Sequence, residues 1–380
     1  MVGQTLSSGR SAGTLADELS ALVPVALHGL SQMQDERSGM FSHKAWMEAG
    51  GQVTNRGANP LYTGACVIGL LSNRESRCEP YLGQAARALD ALVRRSDERD
   101  PAVLATTLWG CALAGRAEGR RLVETLIAVA EPRRLSSMQL GLAVAGLAQW
   151  LRAGERDDGR TATAARVLAA ELKRRYVPQA RVFSSIGGRG WRHPALLRMT
   201  SFAAQVYPLL GLCQLAQATD TAPPPEVKRV CDFLVLCQGE LGQWWWFYST
   251  RAPKVIEGYP VYSVHQDAMA VMALLPATRL GAGDYLDALA IGLRWVGGQN
   301  ELGQSMVDGR AGLIHRAIQR RGGDSDGLAG WSRRQRAAAY VAALTDRSRP
   351  APSEFERLSE CRSYHLGWLL LAAAMAGGGL

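Results

Sequence analysis

The sequence contains no apolar run of the roughly 18 residues that a membrane-spanning helix needs. Residues 1–13 are polar and lack the apolar core of a secretory signal peptide. The seven cysteines form no CxxC pair, their number is odd, and most lie in apolar stretches, which is typical of free, buried thiols in a reducing compartment. These absences predict a cytoplasmic protein without a transmembrane segment, and they leave peripheral contact with a membrane open.

Acidic residues are in the minority, because 34 Asp and Glu stand against 43 Lys and Arg and the net charge is +9. A positive surface suits an anionic partner, such as a diphosphate, an acidic glycan, a nucleic acid or a membrane surface. No nucleic-acid-binding motif is present, so we expect no nucleic acid among the partners. The expected partner is a small-molecule or glycan substrate that carries negative charge.

Alternation of β-branched residues is nearly absent, so the sequence offers little support for strands. Instead, one type of segment recurs, with a small or polar start followed by a helix that is apolar nearly all round. Such helices are buried, and their Gly and Ala residues permit close packing. The six segments are residues 62–71, 102–115, 137–151, 200–217, 263–275 and 363–377.

More amphipathic helices lie between these segments, as an outer layer requires. The alternation predicts an all-α fold, an (α/α)6 barrel or toroid, that forms one domain over residues 14–380 after a flexible N-terminus at residues 1–13. A helical solenoid is the alternative. Long loops, which in compact domains are usually functional, would cluster at one mouth of a toroid. The outer helices are predicted at residues 15–30, 84–95, 120–130, 161–174, 225–237 and 284–296, and the loops at 31–60, 176–199, 239–262 and 299–360.

The most informative segment begins at residue 229 and reads RVCDFLVLCQGELGQWWWFYS. It resembles the QW motif of the squalene-hopene cyclase and terpenoid cyclase family. The resemblance implies an α/α toroid in which the motif braces two outer helices. It also implies acid-initiated chemistry on an isoprenoid or lipid-linked substrate. The residues that match are Arg229, Phe233, Leu234, Gln238, Gly242 and Trp244.

The acidic motif of that family is incomplete in this sequence. Class II cyclases protonate an alkene with a DxDD motif at the start of an inner helix, whereas this chain has the sequence SVHQD and retains one carboxylate. On this interpretation Asp267, tuned by His265, donates the proton. The aromatic residues Trp246, Phe247 and Tyr248 would stabilise a carbocation or stack on a sugar.

The same helix start is also similar to the zinc site of protein prenyltransferase β subunits. Those proteins use an Asp-x-Cys pair and a His in a Tyr-His context. A divalent metal here would be held by His265, Asp267 and His365. Because the Cys ligand is missing, we expect these residues to be hydrogen-bonded site residues and expect no cofactor.

A third resemblance points to a different chemistry. The series Trp246, Tyr248, Arg251, Tyr262 and His265 is similar to part of the C-terminal helical domain of glucuronyl C5-epimerases. It implies a polysaccharide-modifying enzyme, namely a uronate epimerase, a lyase or a glycoside hydrolase. Tyr262 and His265 would then exchange protons, and Arg251 would bind the uronate.

Three further residues complete the predicted site. Tyr62 and His365 begin the first and last inner helices and become neighbours if the ring closes. Arg316 would hold an anionic group through its guanidinium. Isoprenoid chemistry is the leading hypothesis, polysaccharide modification is the alternative, and a non-catalytic binding toroid is the third.

Overall fold

The computed structural model describes residues 12–154, 159–186, 198–321 and 352–378. Most of these residues are helical. No helix within them is long and apolar enough to cross a membrane. The described helices are, in chain order, α1 (Ala12–Ser20), α2 (Val23–Met33), α3 (Pro60–Ser72), α4 (Tyr81–Val93), α5 (Pro101–Ala114), α6 (Gly119–Val129), α7 (Ser137–Arg152), α8 (Arg160–Arg174), α9 (Ala203–Ala218), α10 (Pro225–Leu236), α11 (Ala270–Arg279), α12 (Leu286–Val296) and α13 (Ser363–Ala376).

Six of these helices form a closed inner ring. Around the ring, α3 packs against α5, α5 against α7, α7 against α9, α9 against α11, α11 against α13, and α13 against α3. The outer helices α4, α6, α8, α10 and α12 pack against their inner neighbours, and α1 and α2 cover α13. The predicted α/α toroid is therefore confirmed.

Local signals in the sequence set the ends of the inner helices. Helix α5 begins after Asp100, whose carboxylate accepts a hydrogen bond from the Ala102 amide at 2.8 Å, and it ends at Gly115, which has a φ of 62°. Helix α7 begins with a capping box in which Ser136 and Gln139 each accept the other's backbone amide. Both helices are buried along most of their length, as their uniform apolar pattern predicts.

The ring closes by close contact between backbones. A methyl group on Gly69 of α3 would lie 2.1 Å from the carbonyl oxygen of Gly367 in α13. On the other side of the ring, a methyl group on Gly146 of α7 would lie 2.5 Å from the carbonyl oxygen of Ala105 in α5. Only glycine permits such approaches.

One prediction about local structure was wrong. The single outer helix expected at residues 15–30 is two helices, α1 and α2, because Pro24 has no amide hydrogen and stands in the first turn of a new helix. The flexible N-terminus predicted at residues 1–13 lies almost wholly outside the described residues, which begin at Ala12, the first residue of α1.

The sequence offered little support for strands, yet the described parts of the loops between helices contain five small antiparallel sheets. Most strands have only two to four residues, too few to display an alternating pattern in the sequence. Residues 187–197 and 322–351 of the predicted loops lie outside the described residues. The strands are β1 (Ser42–Met47), β2 (Val53–Ala58), β3 (Tyr176–Val177), β4 (Val182–Phe183), β5 (Met199–Ser201), β6 (Phe247–Ser249), β7 (Val255–Glu257), β8 (Val261–Tyr262), β9 (Val307–Asp308), β10 (Leu313–Ile314), β11 (Ala317–Arg320) and β12 (Phe355–Leu358).

Two of these pairings bring distant parts of the chain together. Strand β11 lies between β8 and β12, and Ala317 is opposite both Tyr262 and Leu358. Strand β1 pairs with β2 and also with residue 361, because Ala45 and Cys361 exchange backbone hydrogen bonds at 2.9 and 2.7 Å. The segment just before α13 is thereby attached to the first hairpin.

Candidate functional site

A cavity of about 390 Å³ lies at the N-terminal ends of the inner helices. Its wall combines the first turns of α3, α7, α9 and α13 with the start of α11 and with loop residues. Aromatic side chains dominate and a few polar groups converge, which is the usual character of a ligand site. The lining residues are Leu61, Tyr62, Ala65, Met138, Leu142, Ala203, Tyr207, Trp246, Tyr262, His265, Met269, Arg316, Tyr364 and Trp368.

The described residues also form two larger depressions elsewhere. One, of about 610 Å³, is an apolar groove between α6 and α8 on the outer layer. The other, of about 620 Å³, borders Trp245 and Glu301. The Glu301 carboxylate already accepts hydrogen bonds from the side chains of Gln243, Tyr259 and Trp295. Neither depression brings together a histidine, an arginine and several tyrosines, as the cavity of about 390 Å³ does. That cavity is therefore the candidate site.

A π-helical turn, His265–Met269, precedes α11 and places His265 in the cavity wall. The His265 ring lies 4.6 Å from the ring of Phe202 and 5.1 Å from that of Tyr262, measured between centroids. Burial lowers the pKa of His265 to about 3. The hydrogen bond with the Trp244 carbonyl raises this pKa, whereas the nearby His365 lowers it further. The imidazole is therefore neutral at neutral pH, and its Nδ1 makes no hydrogen bond to the described residues.

Asp267 and His365 form a buried pair beside the cavity. His365 Nε2 lies 2.8 Å from both carboxylate oxygens of Asp267, and both side chains are buried. Neither residue belongs to the cavity wall. The pair joins the start of α11 to the start of α13, so Asp267 is not placed to deliver a proton to a substrate in the cavity.

Four tyrosines line the cavity. Burial raises the pKa of Tyr62, Tyr207, Tyr262 and Tyr364, so their phenols remain protonated at neutral pH. The rings of Tyr62 and Tyr364 are 4.4 Å apart, whereas Tyr262 packs at 5.5 Å against Trp246. The Tyr207 hydroxyl accepts a hydrogen bond from the indole of Trp368 at 3.0 Å. A bound molecule would therefore meet phenolic proton donors on several sides.

Positive charge gathers beside the cavity around one carboxylate. Glu360 accepts hydrogen bonds from Arg316 at 2.5 Å and from Arg362 at 2.6 Å, and Lys44 lies 3.4 Å away. Burial would raise the pKa of Glu360, but the two guanidinium groups hold it below its ordinary value. Arg316 also lies over the ring of Tyr262, 5.3 Å from its centroid. Glu360 is thus ionised and outnumbered by cations.

His43 connects this cluster to the cavity wall. Its ring stacks on Tyr62 at 5.1 Å, and its ring nitrogens lie 2.7 and 2.9 Å from Nη1 of Arg362. Burial and the adjacent Arg362 lower its pKa, so His43 is neutral at neutral pH.

The structure brings together only part of the predicted site. Five predicted residues line the cavity, namely Tyr62, Trp246, Tyr262, His265 and Arg316.

The other predicted residues lie outside the cavity wall. Phe247 packs behind Trp246 at 4.5 Å, Tyr248 is buried against Phe233, and Arg251 lies exposed in the turn between β6 and β7. Asp267 and His365 are bonded to each other. Within the described ranges no group of three or more His, Cys, Asp and Glu side chains could hold a metal ion.

Sequence reasoning missed several residues of the site. Tyr207 and Trp368 lie one turn into apolar helices, where the sequence reads as plain core. Tyr364, which directly precedes the predicted residue His365, was not among the predicted site residues. Lys44 and Arg362 are more than 300 residues apart, and no local pattern connects them. The pairing of β1 with residue 361 is what joins them.

No protein-family profile and no curated protein matches this chain. Among solved structures, a possible member of the GH105 family from Salmonella enterica matches with a TM-score of 0.60 and 13% identity, covering 98% of this chain and 96% of that one. An unsaturated glucuronyl hydrolase specific for heparin matches with a TM-score of 0.60 and 12% identity, covering 97% and 98%. A polysaccharide lyase matches with a TM-score of 0.56 and 11% identity, covering 94% and 96%. At this identity the matches establish the class of fold, an α/α toroid, over nearly the whole chain.

The prediction of isoprenoid chemistry was wrong. The three solved structures above are described as a possible GH105 member, a glucuronyl hydrolase and a polysaccharide lyase, and the proposed acid, Asp267, is bonded to His365 outside the cavity. Membership of the terpenoid cyclase family is not confirmed. Gln238 nevertheless joins two outer helices, because its amide donates to the carbonyls of Gly242 and Ala288 at 3.0 and 2.8 Å. Such a brace follows from helix packing and carries no chemistry.

Proposed function

We propose that this protein is a polysaccharide-modifying enzyme that removes the proton next to a uronate carboxylate, as a lyase or a C5-epimerase does. One observation carries the proposal. The cavity presents protonated tyrosines, a neutral histidine and an arginine, and the part of its wall that the structure describes contains no carboxylate.

This set of residues favours proton abstraction over hydrolysis. Glycoside hydrolases usually need two carboxyl groups flanking the scissile bond. A lyase or epimerase instead needs a base and an acid across the sugar ring, together with positive charge near the uronate carboxylate. Two of the solved structures with the same fold are described as a glucuronyl hydrolase and a polysaccharide lyase, which supports a uronate-containing substrate.

In the proposed reaction His265 is the base and Tyr262 is the acid. The negative charge of a bound uronate would raise the low pKa of His265. His265 accepts the C5 proton, and the C–H electron pair moves toward the carboxylate, whose charge Arg316 and its neighbours balance. In elimination this pair forms the C4–C5 double bond, the C4–O bond breaks, and Tyr262 protonates the leaving oxygen. In epimerisation the proton returns to C5 from the opposite face, where Tyr62 or Tyr364 of the other wall is the acid.

The lining and the volume of the cavity support a sugar ring as the bound group. Trp246 and Tyr262 form one wall, and Tyr62 and Tyr364 form another. The volume of about 390 Å³ lies in the range of roughly 300–1,000 Å³ that small-molecule sites occupy.

The test is to incubate the protein with a panel of uronate-containing and neutral polysaccharides. Elimination appears as ultraviolet absorbance of the new conjugated double bond, and epimerisation as deuterium uptake at C5 in heavy water. We expect Tyr262→Phe and His265→Gln to lower kcat by roughly 100-fold or more. Tyr248→Phe is the matched control, because Tyr248 is buried outside the cavity, and it should retain activity.

Three outcomes would overturn the proposal. The first is cleavage of glycans with uptake of water and no unsaturated product. The second is turnover that survives in both variants. The third is binding of glycans without turnover of any of them, which would instead support a non-catalytic binding toroid.

A further inference from the structure

The hairpin of β1 and β2 begins at the edge of the cavity. At its base, the ring of His43 in β1 stacks on Tyr62 of the cavity wall, with 5.1 Å between the centroids. Strand β1 lies between β2 and Cys361, so β2 is the outer strand, and its residues 55–58 are all exposed. From His43 to Trp46 the extended strand spans roughly 10 Å. The hairpin therefore extends the cavity wall by a surface that a long molecule can reach.

One face of this hairpin carries an aromatic ring and two cations. Lys44 and Trp46 point to the same side of β1, because side chains alternate along a strand. Directly opposite them on β2 are Arg56 and Thr54. The Trp46 ring is half-buried, and its indole nitrogen donates a hydrogen bond of 2.7 Å to the Glu48 carboxylate. Lys44 Nζ lies 5.9 Å from the centroid of the same ring. The indole is thereby held in one orientation before any ligand binds.

The two cations face each other across the strand pair. Like charges directly opposite each other in an antiparallel pair are destabilising. Lys44 reaches sideways to Glu360 at 3.4 Å. Arg56, in contrast, is exposed and makes no ion pair or hydrogen bond within the described part of the chain. An anion bound over this face would offset the repulsion.

We infer that this face of the β1–β2 hairpin binds an acidic polysaccharide outside the cavity, next to the sugar unit that the cavity holds. Trp46 stacks on a sugar ring, and Arg56 and Lys44 contact the carboxylates of neighbouring uronate units. Continuity with the cavity wall at Tyr62 and the two opposed cations both favour an acidic polymer as the occupant. The inference deepens the proposed function, on which it rests for the identity of the polymer.

The test compares polymers with single sugars and needs no turnover. Titration calorimetry on the full chain would use polygalacturonate and hyaluronate, their monosaccharides galacturonate and glucuronate, and dextran as a neutral polymer. We expect Trp46→Ala to weaken binding of a uronate polymer by roughly fivefold to tenfold through lost stacking. Binding of the monosaccharide should not change, because the cavity is intact. Trp46→Tyr retains an aromatic ring and should restore most of the lost affinity.

The contribution of charge is measured with Arg56→Gln. This variant should weaken binding of the uronate polymer by roughly threefold at low salt, and added salt should reduce the difference from the wild type. Two matched controls should bind as the wild type does. Met47→Ala changes a residue that is 38% exposed and follows Trp46 on β1, but points to the opposite face. Arg166→Gln removes an exposed arginine from the outer helix α8.

Several results would overturn the inference. One is polymer binding that is equal in the wild type, Trp46→Ala and Met47→Ala. Another is an equal loss of affinity for the polymer and the monosaccharide in Trp46→Ala, which would indicate a disturbed cavity. Binding of neither uronate polymer would also overturn it, as would dextran binding as tightly as the uronate polymers.

The two proposals fail separately. Polymer binding that depends on Trp46, in a protein that neither eliminates nor epimerises uronates, would support the binding face and overturn the proposed reaction. Turnover of a uronate polymer with a KM that Trp46→Ala leaves unchanged would support the reaction and overturn the binding face.

Discussion

The closure of the inner ring between α3 and α13 is tested by Gly367→Ala. A methyl group on Gly367 would lie 2.6 Å from the carbonyl oxygen of Ala65 and 2.7 Å from the Cα of Cys66. Both atoms belong to the backbone of α3, so no side chain can move aside. To reach an ordinary contact of 3.4 Å the two helices must separate by roughly 0.8 Å.

The magnitude follows from two opposing effects. Overpacking of a well-packed core costs about 1–3 kcal/mol, and a contact between backbones belongs at the upper end of that range. Alanine in place of glycine within a helix stabilises by about 1 kcal/mol. We therefore expect a net loss of about 2 kcal/mol in the free energy of unfolding, which for a chain of 380 residues corresponds to a fall of roughly 2–3 °C in Tm. The separation also moves Tyr62 away from Tyr364, so the KM for a substrate should rise.

Circular dichroism during heating and denaturant titration measures this change. Gly377→Ala, at the end of the same helix, is the control, because Gly377 has a φ of −76° and a methyl group there would find its nearest neighbour at 3.5 Å. The control should change stability by less than about 0.5 kcal/mol. Equal stability of the two variants would refute the conclusion that glycine contacts close the ring.

Three further predictions concern the site. Asp267→Ala should lower the free energy of unfolding by about 3–5 kcal/mol in a urea titration, because it leaves His365 buried without its partner; a loss below about 1 kcal/mol would contradict the pairing. Because the pKa of His265 falls from an ordinary 6.5 to about 3, the unfolded chain binds a proton between these values that the folded chain does not. The stability contributed by His265 is therefore complete above about pH 6.5, and it declines by up to about 1.4 kcal/mol per pH unit as the pH falls. In denaturation curves collected at several pH values, His265→Gln should show a weaker dependence of stability on pH. Trp246→Ala should raise the KM for the glycan substrate by roughly tenfold through lost stacking, whereas Phe247→Leu, behind the cavity wall, should leave KM unchanged.

The sequence by itself was sufficient for the helices and their layering. Uniformly apolar segments such as the one that became α5 are buried whatever their partners, and amphipathic segments such as α6 must cover them, so the two-layer toroid follows from local patterns. The sequence also singled out His265 and Tyr262, which the structure places in the cavity wall, because polar residues at the entry of an apolar helix stand out. The strands were not predicted from the sequence, because strands of two to four residues are determined by pairing partners that are distant in the chain.

Only the tertiary structure decided which of the polar residues share a cavity. Asp267 and His265 are two residues apart, yet the π-helical turn sends one into a pair with His365 and the other into the cavity wall. The cation cluster is decided in the same way, because β1 must pair with residue 361 before Lys44 and Arg362 can meet at Glu360. Helix formation depends on neighbours three and four residues away, which a sequence displays, whereas the chemistry of a site depends on contacts between residues hundreds of positions apart, which only the closed ring brings into range.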